Sequence, residues 1–155
     1  MNPQAALLSL YERILLTFPA MVGALSETTY STSPGGVARV PRDIVYECAA
    51  INRRAFTRVC KTELAPPPEG SPWAIAPEGY GDKAAGIADF RASLQPMIEL
   101  IRATEDFGVD VEIPGQDKPD SLYEYLQFIA VHNLYHMGQF AVYQSLAGDN
   151  EMHWG

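Results

Sequence analysis

The chain is poor in cations. Lys and Arg number 11 against 19 Asp and Glu, leaving a net charge of −8. Sequence-independent nucleic-acid binding needs clustered Lys and Arg, so that role and attraction to anionic lipid are excluded. The densest basic cluster, Arg53, Arg54, Arg58 and Lys61, reads as the solvated face of a helix. Cysteine is scarce as well. Cys48 and Cys60 are the only two, and on one helix they would lie about 18 Å apart, beyond disulfide reach. Unpaired thiols fit a reducing interior, and both read as small buried hydrophobes. Long apolar runs are missing too. The stretch from Ile14 to Leu25 is too short to cross a bilayer and contains Pro19 and Gly23. No basic leader precedes it and Glu12 interrupts it, which argues against a secretory signal. The expectation is a cytoplasmic protein that binds neither nucleic acid nor membrane. Strand-like alternation, internal repeats, a Gly-x-Ser-x-Gly elbow, a phosphate loop and a dinucleotide fingerprint are all lacking.

What is present is helical periodicity. The 155 residues, 47% hydrophobic and 19% charged, suit a single domain with a real core. Leu7, Leu8, Tyr11, Ile14, Leu15 and Phe18 recur at helical spacing, predicting a helix over about 3–25 that Pro19 kinks or ends early. A Ser-, Thr-, Gly- and Pro-rich loop covers Ser26 to Val40. The next helix, about 41–62, opens at Pro41 with Asp43 in its first turn. Its stripe is Ile44, Val45, Cys48, Ala49, Ile51, Ala55, Phe56 and Val59, and Glu47 sits at the edge, toward a cleft or toward solvent. Residues Glu63 to Gly81 form a loop with Pro66, Pro67, Pro68, Pro72 and Pro77, which reads as a wrapped surface loop with Trp73 as its one buried aromatic, the alternative being that Trp73 packs down as an anchor or a lid. A helix over about 82–107 follows, with Ile87, Phe90, Leu94, Met97, Ile98 and Ile101 inward and a kink near Pro96. After a loop from Gly108 to Pro119, the last helix, about 120–147, starts with a capping box at Ser121 and Glu124. Gly148 ends it. These segments predict an all-α fold, an antiparallel-type four-helix bundle.

The last helix carries the chemistry. Leu122, Tyr125, Leu126, Ile129, Asn133, His136, Phe140, Tyr143 and Ala147 form its buried stripe. His136 lies near the centre of that stripe and His132 near one edge. Residues four apart share a helix face, so both imidazoles can aim at one point. Two histidines alone read first as the satisfied polar groups of a bundle seam, and a metal needs a third ligand. Residues 133 and 134 are Asn and Leu, so the general base of His-Glu-x-x-His peptidases is missing. Ile129 and Asn133 stand where a di-iron bundle would carry Glu.

The segment His132-Asn-Leu-Tyr-His136-Met-Gly138-Gln139-Phe resembles the His-x-x-x-His-x-Gly-Gln pattern of the DinB-like (YfiT-like) superfamily of bundle proteins. Asp43-Ile-Val-Tyr-Glu47-Cys-Ala-Ala is similar to the stretch where that family places its first metal-binding histidine. The resemblance implies a divalent metal, commonly nickel or zinc, held at the positions of Glu47, His132 and His136. Glu47 departs from the family's His, which opens the choice to iron, since two His and a carboxylate form an open set for zinc or ferrous iron. Cys48 is the fallback ligand. Gln139 would fix a histidine tautomer, Gly138 would admit a close neighbour, and Tyr46, Tyr125, Tyr135 and Tyr143 are candidates to line a pocket. The implied activity is a metal-dependent thiol transferase acting on a small molecule with a low-molecular-weight thiol. The competing expectation is a non-catalytic ligand-binding or homodimerising bundle with a degenerate, metal-free site. Tyr11 or Trp154 would then mark the dimer face.

Overall fold

The computed structural model describes residues 2–64, 67 and 73–154. Pro66, Pro68 and Pro72 of the Pro-rich loop lie outside the described residues. Four long helices carry the fold: α1 Pro3–Ala24, α3 Pro41–Val59, α4 Lys83–Ala103 and α5 Leu122–Leu146. A single-turn helix, α2 Glu27–Ser31, sits in the segment expected to be loop. Ser26 caps it by accepting from the Thr29 amide, a capping signal short enough to be lost among loop residues. The two-residue strands β1 Asp110–Val111 and β2 Asp120–Ser121 pair antiparallel, Asp110 opposite Ser121.

Helix α1 packs on α4 and α5, and α3 packs on the same two. Side-chain contacts give the directions. The start of α1 meets the end of α4, where the Gln4 amide donates to the carbonyls of Ile101, Arg102 and Thr104. Lys83 at the start of α4 bonds the Gly23 and Leu25 carbonyls at the end of α1. Those two helices are antiparallel. Tyr11 donates to the Leu126 carbonyl and Gln144 to the Met21 carbonyl, so α1 and α5 are parallel. Asn52 meets Ser93, and the Val45 side chain lies near Gly86, so α3 and α4 also run parallel. Helices α3 and α5 oppose each other, Glu47 lying beside His132 and Arg58 beside Tyr125. The expected four-helix bundle is therefore observed, but two of its four helix contacts are parallel. A parallel neighbour obliges the chain to return along the helix it has just left. For the 19 residues of α3 that return is about 28 Å. It is the reason for the long Pro-rich connection, and it brings residues 73–76 back beside the start of α3.

The core closes around stacked aromatics. Phe18 and Phe90 stack with centroids 3.7 Å apart, and Phe140 meets Phe18 edge-on at 5.1 Å. Helices α1 and α4 run on through Pro19 and Pro96 without interruption. Helix α4 stops at Ala103, earlier than its periodicity suggests, because the following chain enters the β-bridge. The Leu122 amide bonds the Val109 carbonyl and the Tyr123 amide that of Phe107. Gly86 packs against the Tyr30 hydroxyl with no room for a Cβ. The capping box forms as expected. At the other end Gly148 adopts φ 86° and its amide bonds the Ser145 carbonyl, while the Asp149 amide bonds that of Gln144. That pattern is a Schellman cap.

Several expectations fail locally. Ala147 and Cys60 are exposed rather than buried. Tyr11 is fully buried, so it marks no outer face, whereas Trp154 is exposed. The basic cluster is only in part a solvated face: Lys61 is exposed, but Arg53 pairs with Asp89 on α4, and Arg58 bonds the Glu112 carbonyl and lies over the Tyr125 ring. Helix α1 is long and apolar enough to cross a membrane. Here Leu7, Tyr11, Ile14, Phe18, Met21 and Val22 place its apolar side in the bundle core.

Candidate metal centre

The antiparallel crossing of α3 and α5 brings one side chain of α3 against two of α5. Glu47 Oε1 lies 3.3 Å from Nε2 of His132 and 3.3 Å from Nε2 of His136. The two Nε2 atoms are 3.2 Å apart. Three Lewis-basic atoms thus form a nearly equilateral triangle. Around a tetrahedral zinc with ligand bonds of about 2.0–2.1 Å, donor atoms stand roughly 3.3 Å apart. Glu47 and His136 are buried, and His132 is partly buried. Of the two orientations open to Glu47, the structure adopts the cleft.

Each corner of the triangle has its own support. His136 Nδ1 lies 2.7 Å from Gln139 Oε1. An amide oxygen only accepts, so Nδ1 carries a proton, and Nε2 is the nitrogen left to ligate a metal once it gives up the proton it shares with Glu47. The Gln139 amide in turn donates to the Tyr135 hydroxyl at 3.4 Å. Glu47 Oε2 accepts from Arg39 Nη2 at 2.7 Å and from the Ala74 amide at 3.3 Å. Arg39 Nη2 also donates to the Ala74 carbonyl at 3.0 Å, and its guanidinium lies 5.4 Å from the centre of the Trp73 ring. Burial raises the proton affinity of Glu47. Hydrogen bonds with His132, His136 and Arg39 reverse the sign and hold the carboxyl well below its ordinary range. His132 Nδ1 is buried without a partner among the described residues.

Cys48 is the neighbouring donor. Its sulfur and the two imidazoles form a group within 4.8 Å of one another, close enough to converge on an ion. Burial, and then the charge of Glu47, pushes its thiol pKa up, so the sulfur is held protonated.

Beside the triangle opens a cavity of about 390 Å³ lined by Val37, Ala38, Arg39, Trp73, Tyr135, Gln139, Val142 and Tyr143. Tyr135 and Tyr143 therefore take the expected lining positions. Tyr46 does not, because it packs edge-on against Tyr80, nor does Tyr125, which lies under Arg58. Trp73 is half exposed at the cavity edge rather than packed down. Gly138 has open space where a Cβ would stand, with no helix approaching it. His153 lies apart, bonded to Asp149 at 2.7 Å. Arg39 and Ala74 are partners of Glu47 that helical periodicity does not reveal. The one available signal is the placement of Arg39 just before Pro41, at the mouth of the helix that carries Glu47.

Fold and site define a class: a four-helix bundle with mixed helix directions, in which two imidazoles and an acidic side chain converge from facing helices. The structure of YfiT from Bacillus subtilis, described as a probable metal-dependent hydrolase with an unusual four-helix bundle topology, matches this chain with a TM-score of 0.76. The match covers 95% of this chain and 89% of YfiT at 14% sequence identity, so what is shared is the fold. It is the fold that the His132–Gln139 motif leads one to expect. No family model matches the sequence, and no curated protein sequence does so.

Proposed function

We infer that the protein is a divalent-metal-binding bundle in which Glu47, His132 and His136 are the ligands, and that it activates a small nucleophile for transfer to a substrate in the adjoining cavity. The observation that carries this reading is the triangle of Glu47 Oε1 and the two Nε2 atoms at 3.2–3.3 Å. Glu47 is preferred over Cys48 because it is already ionised, whereas the thiol would have to lose a proton that burial favours keeping. Two imidazoles and a carboxylate suit zinc or ferrous iron, and nickel is the further candidate from the motif resemblance.

A divalent ion at an open site of this kind lowers the pKa of a bound water or thiol toward neutrality and polarises a substrate oxygen. The chain's own residues supply order. Gln139 sets the His136 tautomer, and Arg39 with the Ala74 amide fixes Glu47 Oε2 so that Oε1 faces the imidazoles. Arg39, Trp73, Tyr135 and Tyr143 give the cavity an aromatic wall and one cation, suited to a small molecule with an apolar body. The nucleophile is water if the chemistry follows that named for YfiT, and a low-molecular-weight thiol if it follows the motif resemblance. We place this chemistry in the cytoplasm, which suits two unpaired thiols.

A second reading has its own observation. Glu47 is already paired with Arg39 at 2.7 Å and hydrogen-bonded to both imidazoles, so the cluster can satisfy itself as a metal-free structural device. Calorimetric titration of chelator-treated protein with zinc or nickel separates the two. The metal reading predicts one site per chain, abolished in His132→Ala and weakened about tenfold or more in Gln139→Ala. Heat of binding absent in the wild type overturns it. Metal-loaded protein offered an activated ester with and without a small thiol then reports whether water or thiol is the nucleophile.

A further inference from the structure

The cavity beside the triangle differs in charge from the rest of the molecule. The chain has 19 acidic residues and 11 basic ones, yet no Asp or Glu lines this cavity, and Arg39 is the one charged side chain that does. The Arg39 guanidinium is only partly engaged. Its Nη2 donates to Glu47 Oε2 at 2.7 Å and to the Ala74 carbonyl at 3.0 Å. Its Nη1 is buried and has no hydrogen-bond partner among the described residues. The Trp73 ring lies against the guanidinium, its centre 5.4 Å from the central carbon. A ring in that position covers the face of the cation and leaves the N–H groups in its plane free to donate. A buried N–H with nothing to bond is a cost to the fold, and an acceptor entering from the cavity removes it. Tyr143 belongs to the same wall, and burial raises the pKa of its hydroxyl, which keeps it a protonated donor.

We propose that this cavity binds a small organic acid, with the carboxylate anchored on Arg39 Nη1 and the apolar body held among Trp73, Tyr135 and Val142. A bond from a cationic N–H to a carboxylate is shorter and roughly twice as strong as one to a neutral acceptor. A monoanion suits the site better than a phosphate dianion. The open edge of the guanidinium offers a single nitrogen, and Glu47 on its other edge opposes a second negative charge. The volume of about 390 Å³ stands at the small end for ligand cavities, so the fitting acid has one ring or a short chain. Trp73, half exposed at the rim, is free to swing out and admit it. Gln139, which bonds His136 at 2.7 Å, lines the same cavity, so an acid held on Arg39 lies beside the triangle. What happens to the bound acid rests on the metal reading of the preceding subsection; its recognition rests on the cavity and Arg39 alone.

Calorimetric titration with phenylacetate, and with phenylacetamide as its uncharged counterpart, tests it on the full chain as purified and again after chelator treatment. Phenylacetate should bind at one site per chain, about tenfold more tightly than phenylacetamide, in both samples. Arg39→Lys keeps a cation for Glu47 but removes Nη1, so the preference should fall to about twofold or less while phenylacetamide binds as before. Val142→Trp changes an exposed helix position and should fill the cavity, weakening phenylacetate about tenfold or more with an unchanged circular dichroism spectrum. Absent phenylacetate binding, or equal affinity for the two probes, overturns the proposal. So does a preference that survives Arg39→Lys, which would assign the carboxylate to a bound metal, and so does binding that Val142→Trp leaves untouched. Metal content measured on the same samples keeps the two readings apart. A metal-free chain that prefers phenylacetate upholds this proposal and fails the metal reading, and a metal-holding chain without the preference does the reverse.

Discussion

Arg39→Met asks whether the Pro-rich loop and the Glu47 carboxylate form one unit. Arg39 joins Glu47 Oε2 at 2.7 Å and the Ala74 carbonyl at 3.0 Å, and the paired side chains are each only 11% exposed. Removing one partner of a buried ion pair costs about 3–5 kcal/mol. Glu47 keeps both imidazoles and the Ala74 amide, so the loss here should be smaller, about 2–3 kcal/mol. For a chain of this size that corresponds to a fall in Tm of roughly 8 °C. Thermal unfolding of the metal-free protein measures it. The double variant Arg39→Met/Glu47→Gln should lose less than the two singles together, with a coupling of about 1–2 kcal/mol. The Ala74 amide, which leans on Glu47 Oε2, should exchange its hydrogen faster in Arg39→Met. Single-variant losses that simply add, with unchanged exchange at Ala74, would show that Arg39, Glu47 and the loop do not act as one unit.

The remaining predictions concern the middle and the N-cap of α5 and, first, Glu47. Its carboxyl is depressed below the ordinary 4.5. Glu47 should therefore contribute stability that is fully present above about pH 4.5 and is lost as pH falls, and urea unfolding of Glu47→Gln should show a flatter acid limb than the wild type. Asn133 donates to Asn52 Oδ1 at 3.0 Å and to the Ile129 carbonyl at 2.9 Å, in a buried ladder that Asn52 extends to Ser93. Asn133→Leu strands Asn52 Oδ1 and should cost about 1–3 kcal/mol in chemical denaturation. Ser121→Ala removes the N-cap of α5 and should cost about 1 kcal/mol, read as a small drop in Tm.

The helices are legible in the sequence because their apolar spacing is long and regular, and the α5 boundaries because capping box and glycine cap are local chemistry. Directions are not legible. Parallel α3 and α4 follow from packing between distant segments, and the long Pro-rich connection is the visible consequence without its cause. Glu47, His132 and His136 stand out through helical spacing and motif resemblance, and the structure brings them together. Ala74 escapes such a reading because it joins the carboxylate only through that return of the chain, and Arg39 because it sits in the loop before α3, where helical periodicity says nothing. The basic residues of α3 mislead for a related reason. A charge run looks solvated in one dimension, whereas Arg53 and Arg58 find Asp89 and the Glu112 carbonyl on other elements. Asn52 and Asn133 read as helix positions with no signal that each is the other's partner.

The proposed function stands or falls on whether Glu47, His132 and His136 hold a metal. Elemental mass spectrometry of untagged protein, purified without chelator, tests it most directly. Close to one divalent ion per chain is expected, lost in His136→Ala and strongly reduced in Glu47→Gln. Metal-free wild-type protein, with a Tm that added zinc or nickel leaves unchanged, would contradict it.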